Sequence, residues 1–177
     1  MTELTRVSGG VRNDILDIAT ADQLTILGDG TTEDPLRAGR SIGRFEATLS
    51  PVHGPAQLGA PVFLIGPGRT VALGSAGVAA PPTSPLAQVV GLISQIASPT
   101  RVTVQYAGIL SLPSSAWLAV TGAPTLALGQ TYYATAAFGH LDVNPPVASG
   151  AFVVQVGASL DSTTLILSLP AFPTQNP

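Results

Sequence analysis

The stretch LGQTYYATAAFGHLDVNPP, residues 128–146, concentrates the few side chains of this chain that could do chemistry. It holds two of the three tyrosines, one of the two histidines and Asp142. General acid–base catalysis needs two titrating groups held beside one substrate. The other carboxylate that follows residue 50 is Asp161, and both aspartates stand beside turn signals, where a carboxylate commonly accepts hydrogen bonds from nearby backbone N–H groups. They therefore predict turns rather than a catalytic pair.

Metal, nucleophile and phosphate sites are equally short of the residues they need. Cysteine is absent and the histidines are His53 and His140, so nearby residues cannot supply the three or four ligands of a zinc site. The acidic stretch GDGTTED, residues 28–34, lacks the alternating carboxylates and final glutamate of a calcium loop, and it predicts a turn. No Gly-x-Ser-x-Gly elbow or lysine-bearing glycine loop occurs. The sequence predicts a protein that is not an enzyme and has no cofactor or bound metal.

The composition indicates a packed core with an unusually uncharged surface. Of 177 residues, 45% are hydrophobic and 10% are charged, against roughly 25% charged in ordinary soluble domains. Lysine is absent and the net charge is −3, so we expect no basic patch and no binding to nucleic acid. No run of about 18 apolar residues predicts insertion in a membrane, and the first ten residues do not resemble a signal peptide.

Charge divides the chain near residue 50. The charged side chains that follow that point are Arg69, Arg101, Asp142 and Asp161. We predict a charged N-terminal arm and attachment region over 1–50, a β-domain over 51–170 and a short tail over 171–177. A surface this poor in charge favours burial against further copies of the chain or against a partner. The alternative is that Ser, Thr, Gln and Asn side chains solvate it.

Local patterns in the second part predict strands. APVFLIG and RTVALG flank the tight-turn tripeptide GPG, which is typical of a hairpin. RVTVQYAG alternates Val102, Val104 and Tyr106 against polar residues, which indicates a half-buried strand. Tyr132 and Tyr133 point to opposite faces if they share a strand, so at most one ring can face the core.

A helix is predicted at one place and rejected at another. Ser114 or Ser115 can cap a single helical turn that ends at Gly122, with Trp117 turned inward. Residues 88–94 lie in a segment with helical spacing, but they match a later β-branched run and are predicted as a strand.

That match belongs to an internal similarity. LGAPVFL…GRTVAL…AQVVGLIS resembles LGQTYYA…GHLDV…FVVQVGASL about 70 residues later, which predicts two related lobes closing one barrel or sandwich. In the first part, residues 23–27 predict a short strand and Gly28, Asp29 and Gly30 a turn. The predicted fold class is all-β: a small β-barrel or sandwich with an extended N-terminal arm and at most one short helix.

Two motifs resemble those of tailed-bacteriophage virion proteins. Over residues 23–37, an apolar strand, Gly-Asp-Gly-Thr and a later Pro-Leu resemble the short motif of tail and head fibre proteins. Over residues 58–169, Trp-x-x-Val-Thr-Gly, Tyr-Tyr, Pro-Pro and Val-Val-Gln-x-Val-Gly resemble a domain at the ends of phage fibre and decoration proteins. The signature residues of the two motifs are Gly28, Asp29, Gly30, Trp117, Tyr132, Tyr133 and Gly157.

The resemblance implies a structural protein of the virion, made in the cytoplasm of the bacterial host. It implies a fibre-type protein of the tail, neck or head that forms a homo-oligomer, expected to be a trimer. Docking on capsid, neck or tail proteins is assigned to the N-terminal region, and a host-surface receptor is a further partner. The predicted charged docking contacts are Arg12, Arg37, Arg40 and Arg44.

Two other functions stay open on the sequence. A capsid decoration or cement protein uses similar small β-domains at the symmetry axes of the capsid. A receptor- or glycan-binding tip module would need Trp117, Tyr132 and Tyr133 exposed to stack on sugars, whereas their patterns favour burial. A depolymerase is the weakest alternative, since no acid pair is predicted.

Overall fold

The computed structural model describes residues 25–27, 37–39, 43–76, 88–170 and 174–176. The chain divides into two compact units, Met1–Ser41 and Ile42–Pro177. In the first unit, β1 (Thr25–Leu27) pairs antiparallel with β2 (Arg37–Gly39). The predicted turn at Gly28, Asp29 and Gly30 lies between these strands and outside the described residues.

The next five strands form a closed barrel. They are β3 (Arg44–Leu49), β4 (Pro61–Gly66), β5 (Thr70–Leu73), β6 (Val89–Ser98) and β7 (Arg101–Gln105). They follow the order β3-β5-β4-β6-β7, and a parallel pairing of β3 with β5 closes a ring of otherwise antiparallel pairs. Closure removes free sheet edges. The inward side chains form an apolar core that includes Leu49, Val62, Leu92 and Val104.

A second, open sheet follows the barrel. Its strands are β8 (Gly108–Ser111), β9 (Thr131–Ala134), β10 (Leu141–Asp142), β12 (Gln155–Ser159) and β13 (Thr164–Leu167). Helix α1 (Ser114–Thr121) lies between β8 and β9 in the chain. Two short strands outside this sheet are β11 (Phe152–Val153) and β14 (Thr174–Gln175). The five-stranded sheet has the order β10-β9-β12-β13-β8 and is antiparallel throughout. β11 and β14 pair separately. The described part of the molecule is therefore mostly β with one α-helix, as the sequence predicted.

The two sheets repeat one strand order. Read from β5, the barrel runs β5-β4-β6-β7-β3, and the open sheet runs β10-β9-β12-β13-β8. Each strand of the barrel thus has a counterpart with equivalent neighbours, which explains the internal similarity of the sequence. The sequence predicted that the two lobes close one barrel or sandwich, and the single shared barrel is wrong: the first lobe closes alone, whereas β8 and β10 do not pair. Helix α1, which follows β8, contacts β10.

Each repeat places a glycine where two strands come too close for a side chain. A Cβ on Gly91 in β6 would lie 2.7 Å from the carbonyl oxygen of Gln105. A Cβ on Gly157 in β12 would collide with the carbonyl oxygen of Ile166. The register shifts beside both glycines, as at β-bulges. Gly157 is therefore required by packing.

Most local predictions in this unit are confirmed. The strand predicted over residues 88–94 is β6, and the predicted single turn of helix extends to the eight residues of α1. The helix ends at Gly122, which has φ 76° in the left-handed region, and it starts after Pro113 with no side-chain cap. Tyr106 was predicted to lie on the same side of the strand as Val102 and Val104. That prediction is wrong, because β7 ends at Gln105 and Tyr106 is 38% exposed.

The β-domain begins before residue 51. Arg44 and Glu46 lie on β3, which pairs with β5 and β7, so the charged stretch extends into the barrel. Both side chains are exposed on the outward side of that strand. The division between the two compact units accordingly falls after Ser41. The drop in charge near residue 50 marks the end of one solvated strand face rather than a domain boundary.

Candidate functional site

The two aspartates of the β-domain are engaged in turns. Oδ1 of Asp142 accepts hydrogen bonds from the backbone N–H of Asn144 at 2.9 Å and from its side-chain amide at 3.0 Å. Oδ1 of Asp161 accepts from the backbone N–H of Thr163 at 2.7 Å and from its hydroxyl at 3.0 Å. The bond from the Thr163 N–H is the main reason that the pKa of Asp161 is lowered. Each carboxylate thus stabilises its own turn, as predicted.

The two histidines do not meet in a ligand set. The His53 ring stacks on Phe138, with centroids 4.0 Å apart and planes 4° apart, and its centroid lies 6.0 Å from that of Phe63. It therefore packs a turn of the barrel against the second lobe. The backbone of His140 closes a turn by accepting the N–H of Thr135. Among the described residues, no three His, Asp or Glu side chains are grouped to hold a metal, and no helix is long and apolar enough to cross a membrane.

Two of the three aromatic signature residues, Trp117 and Tyr132, lie in the core. Trp117 is fully buried, and its Nε1–H donates to the carbonyl of Thr163 at 2.8 Å. Tyr132 is buried, and its hydroxyl accepts the N–H of Ala127 at 2.8 Å. Tyr133 points the other way and is half-buried. Trp117 and Tyr132 cannot stack on a sugar, because solvent does not reach their rings.

The four arginines predicted as docking contacts lie in different parts of the chain, and the structure describes the side chain of Arg44. Arg12 and Arg40 lie outside the described residues, and Arg37 lies on β2, where only the backbone is described. Nε of Arg44 donates to Oε1 of Gln105 at 3.1 Å. Arg44 is thus tied to the barrel. Its role as a docking contact remains a prediction.

Gln105 is a buried polar residue that sequence reasoning missed. Its side chain is completely buried, and its Nε2 donates to the carbonyls of Ala107 at 3.2 Å and Ile109 at 2.9 Å. Together with the bond from Arg44, these contacts join β3 and β7 of the barrel to β8 of the open sheet. The alternation in RVTVQYAG places this glutamine on the polar side, so the pattern gave no signal of its burial.

A shallow groove of about 360 Å³ lies beside the stretch 128–146. The polar side chains that line it are Thr135, Asp142 and Asn144, and the remaining lining is alanine, proline and valine. Asp142 is the one titratable group of this lining, and its Oδ1 already accepts two hydrogen bonds. The groove therefore has no partner for acid–base chemistry.

The outward side of the open sheet carries two exposed isoleucines, Ile109 and Ile166. We call this side the outer face, and it comprises Ile109, Ser111, Thr131, Tyr133, Asp142, Gln155, Ala158, Thr164 and Ile166. The alternate residues on the same strands, such as Leu110 and Leu165, are buried in the core. This is the period-two pattern of a sheet with one buried side.

A continuous row crosses four strands of the outer face. Ile109 lies opposite Ile166, Ile166 opposite Ala158, and Ala158 opposite Thr131. The two isoleucines are 42% and 37% exposed. The edge strand β10 adds Asp142, which is exposed and lies opposite Tyr133, so the one charged side chain of the outer face stands on its edge strand. The row is apolar at Ile109, Ile166 and Ala158 and polar at Thr131.

The comparisons with known proteins add no family. No protein-family model matches the chain, and no curated protein matches it. Function must be inferred from the residues, their geometry and the resemblance of the two motifs.

Proposed function

We propose that this chain is a non-enzymatic structural protein of a bacteriophage virion, of the fibre type. It docks on the particle through its N-terminal region and associates with further copies through its β-domain. The observation that carries the proposal is the low charge of the outer face: four of its five strands, β8, β9, β12 and β13, carry no charged side chain, and two exposed isoleucines lie among them. A surface of this kind suits permanent assembly, because burying those four strands removes apolar area from water without desolvating a charge.

The chemistry of the described residues supports a structural role. Asp142 and Asp161 accept hydrogen bonds within their own turns, and the His53 ring stacks on Phe138. Together with His140 and with Glu46, which pairs with Arg101, these are the His, Asp and Glu side chains that the described residues offer for an acid–base or metal site. Their use in stabilising the fold favours assembly over catalysis.

The N-terminal region is the proposed docking element on capsid, neck or tail proteins. It carries most of the charge of the chain, including Arg12, Arg37 and Arg40, whose guanidinium groups can bind carboxylates of a partner in a bidentate manner. Separate docking and self-association regions let several weak contacts act together on the particle. The expected oligomer is a homotrimer in the virion.

A truncation tests this division of labour. Removing residues 1–41 leaves the second compact unit whole, including Arg44 and its bond to Gln105. We expect the truncated protein to fold and to form the same oligomer as the full chain, but to be absent from particles purified from infected cells. The full chain, expressed in parallel with the same tag, is the control and should be incorporated.

The outcomes separate the parts of the proposal. Incorporation of the truncated protein would show that docking does not use the N-terminal region. Absence of the full chain itself from particles would refute the virion function. A truncated protein that no longer associates would place self-association outside the β-domain.

A further inference from the structure

We infer that Arg44 is a preorganised contact for one carboxylate of the virion protein on which the chain docks, and that Gln105 is the residue that positions it. The inference rests on the proposed function, because it takes docking from there and names the chemistry of the partner at one position. Arg44 follows closely after Ser41, the last residue of the first compact unit. In the chain it therefore comes directly after the proposed docking region.

The amide of Gln105 has a fixed orientation. Its side chain is completely buried, and its Nε2 donates to the carbonyls of Ala107 at 3.2 Å and Ile109 at 2.9 Å. Because the nitrogen is held by those two acceptors, Oε1 points away from them, and there it accepts the Nε–H of Arg44 at 3.1 Å. A planar guanidinium attached to a fixed acceptor has less freedom to lose when it binds a partner.

The bond to Gln105 leaves the outer part of the Arg44 guanidinium available. It uses Nε, whereas the N–H groups of the two terminal nitrogens are the ones that form a fork for a carboxylate. Arg44 is exposed, and Gln105 is uncharged, so this bond does not neutralise the arginine. Within the described part of the chain, Arg44 has no carboxylate partner, since Glu46 on the same strand face pairs with Arg101 at 3.2 Å.

The surrounding charge favours a partner group with a single negative charge. Arg44, Glu46 and Arg101 together carry one net positive charge on the outward side of β3 and β7. Residues two apart on a strand lie about 7 Å from each other, so Glu46 disfavours a doubly charged phosphate at Arg44. A run of phosphates would need several cations, and the chain contains no lysine. The group that fits is the carboxylate of an aspartate, a glutamate or a chain terminus.

Incorporation in competition with the wild type tests the inference. A tagged full chain is expressed in cells infected with virus that supplies the untagged chain, and the ratio of the two is measured in purified particles. Arg44→Gln removes the charge and should be incorporated about tenfold less than the tagged wild type. Arg69→Gln is the matched control, because it removes the same charge from an exposed arginine in the turn between β4 and β5. It should be incorporated like the wild type.

A second variant separates the shape of the guanidinium from its charge. Arg44→Lys keeps the positive charge, but an ammonium group cannot hold Oε1 of Gln105 and present two parallel N–H groups at the same time. It should be incorporated about as poorly as Arg44→Gln. Circular dichroism and urea unfolding of the purified variants should show folded proteins, because Arg44 is exposed.

The outcomes distinguish the inference from the proposed function. Incorporation of folded Arg44→Gln at the level of the wild type would overturn the inference and leave the proposed function standing. Wild-type incorporation of Arg44→Lys would also overturn it, because charge alone would then suffice. An equal loss for Arg69→Gln would show that net charge, rather than Arg44, governs incorporation. Absence of the tagged wild type from the particles would refute the proposed function itself.

Discussion

Replacement of Gln105 by leucine is the most informative single perturbation of the fold. The glutamine side chain is completely buried and makes three hydrogen bonds, one from Arg44 and two to the carbonyls of Ala107 and Ile109. Gln105→Leu conserves most of the side-chain volume, so the packing term is small. The change mainly removes one of the polar links between the closed barrel and the open sheet.

The size of the effect follows from those three bonds. Each contributes about 1 kcal/mol net, and a carbonyl left without a donor in a buried position costs about 1–3 kcal/mol. Arg44 is exposed and can turn to water, which limits its share. We expect the free energy of unfolding to fall by about 2–4 kcal/mol, which corresponds to a melting temperature about 5–15 °C lower for a chain of this size.

Urea unfolding of the full chain, followed by tryptophan fluorescence, measures this loss. Arg44→Met removes the donor to Oε1 while keeping an aliphatic stem, and the double variant with Gln105→Leu completes a cycle. The two changes should be non-additive by about 1 kcal/mol, since they remove the same bond. A loss below about 0.5 kcal/mol for Gln105→Leu, or strict additivity with Arg44→Met, would refute the assigned role of this buried link.

Two further predictions concern single positions. Gly157→Ala should prevent native folding, because its Cβ would meet the backbone of β13, whereas Gly66→Ala should be tolerated, since the nearest atom to its Cβ is 4.0 Å away; soluble yield and circular dichroism distinguish them. Asp161→Ala should melt below the wild type at neutral pH, because the folded state lowers the pKa of Asp161 and so gains stability from the carboxylate above its ordinary value of 3.8. This difference in melting temperature should shrink as the pH falls below 3.8, and a difference independent of pH would contradict the turn role.

Local elements could be predicted because their signals lie within a few residues. The tripeptide GPG predicted the β4–β5 hairpin, and the opposite orientations of Tyr132 and Tyr133 followed from strand geometry alone. The shared strand order of the two lobes was likewise visible as a weak internal similarity. The sequence did not indicate that only one lobe closes, because the pairing of β3 with β5 depends on how far the sheet coils.

Gln105 and the outer face could not be predicted from the sequence for a related reason. Val102 and Val104 were correctly placed in the core, but Gln105 and Tyr106 exchange their expected environments where β7 ends. The outer face appears only when β8 and β13 are paired, since Ile109 and Ile166 are 57 positions apart in the chain. Each looks unremarkable in its own segment, and the pairing joins them in one apolar row.

The most direct test of the proposed virion function is a map of the particle by electron cryomicroscopy, with a tagged copy of this chain. We predict density for the β-domain at a fibre of the tail, neck or head, with neighbouring copies in contact through their β-domains and the N-terminal regions on the particle. Single, separate β-domains bound at the symmetry axes of the capsid would contradict the fibre assignment. Particles without the tagged chain would contradict the virion function itself.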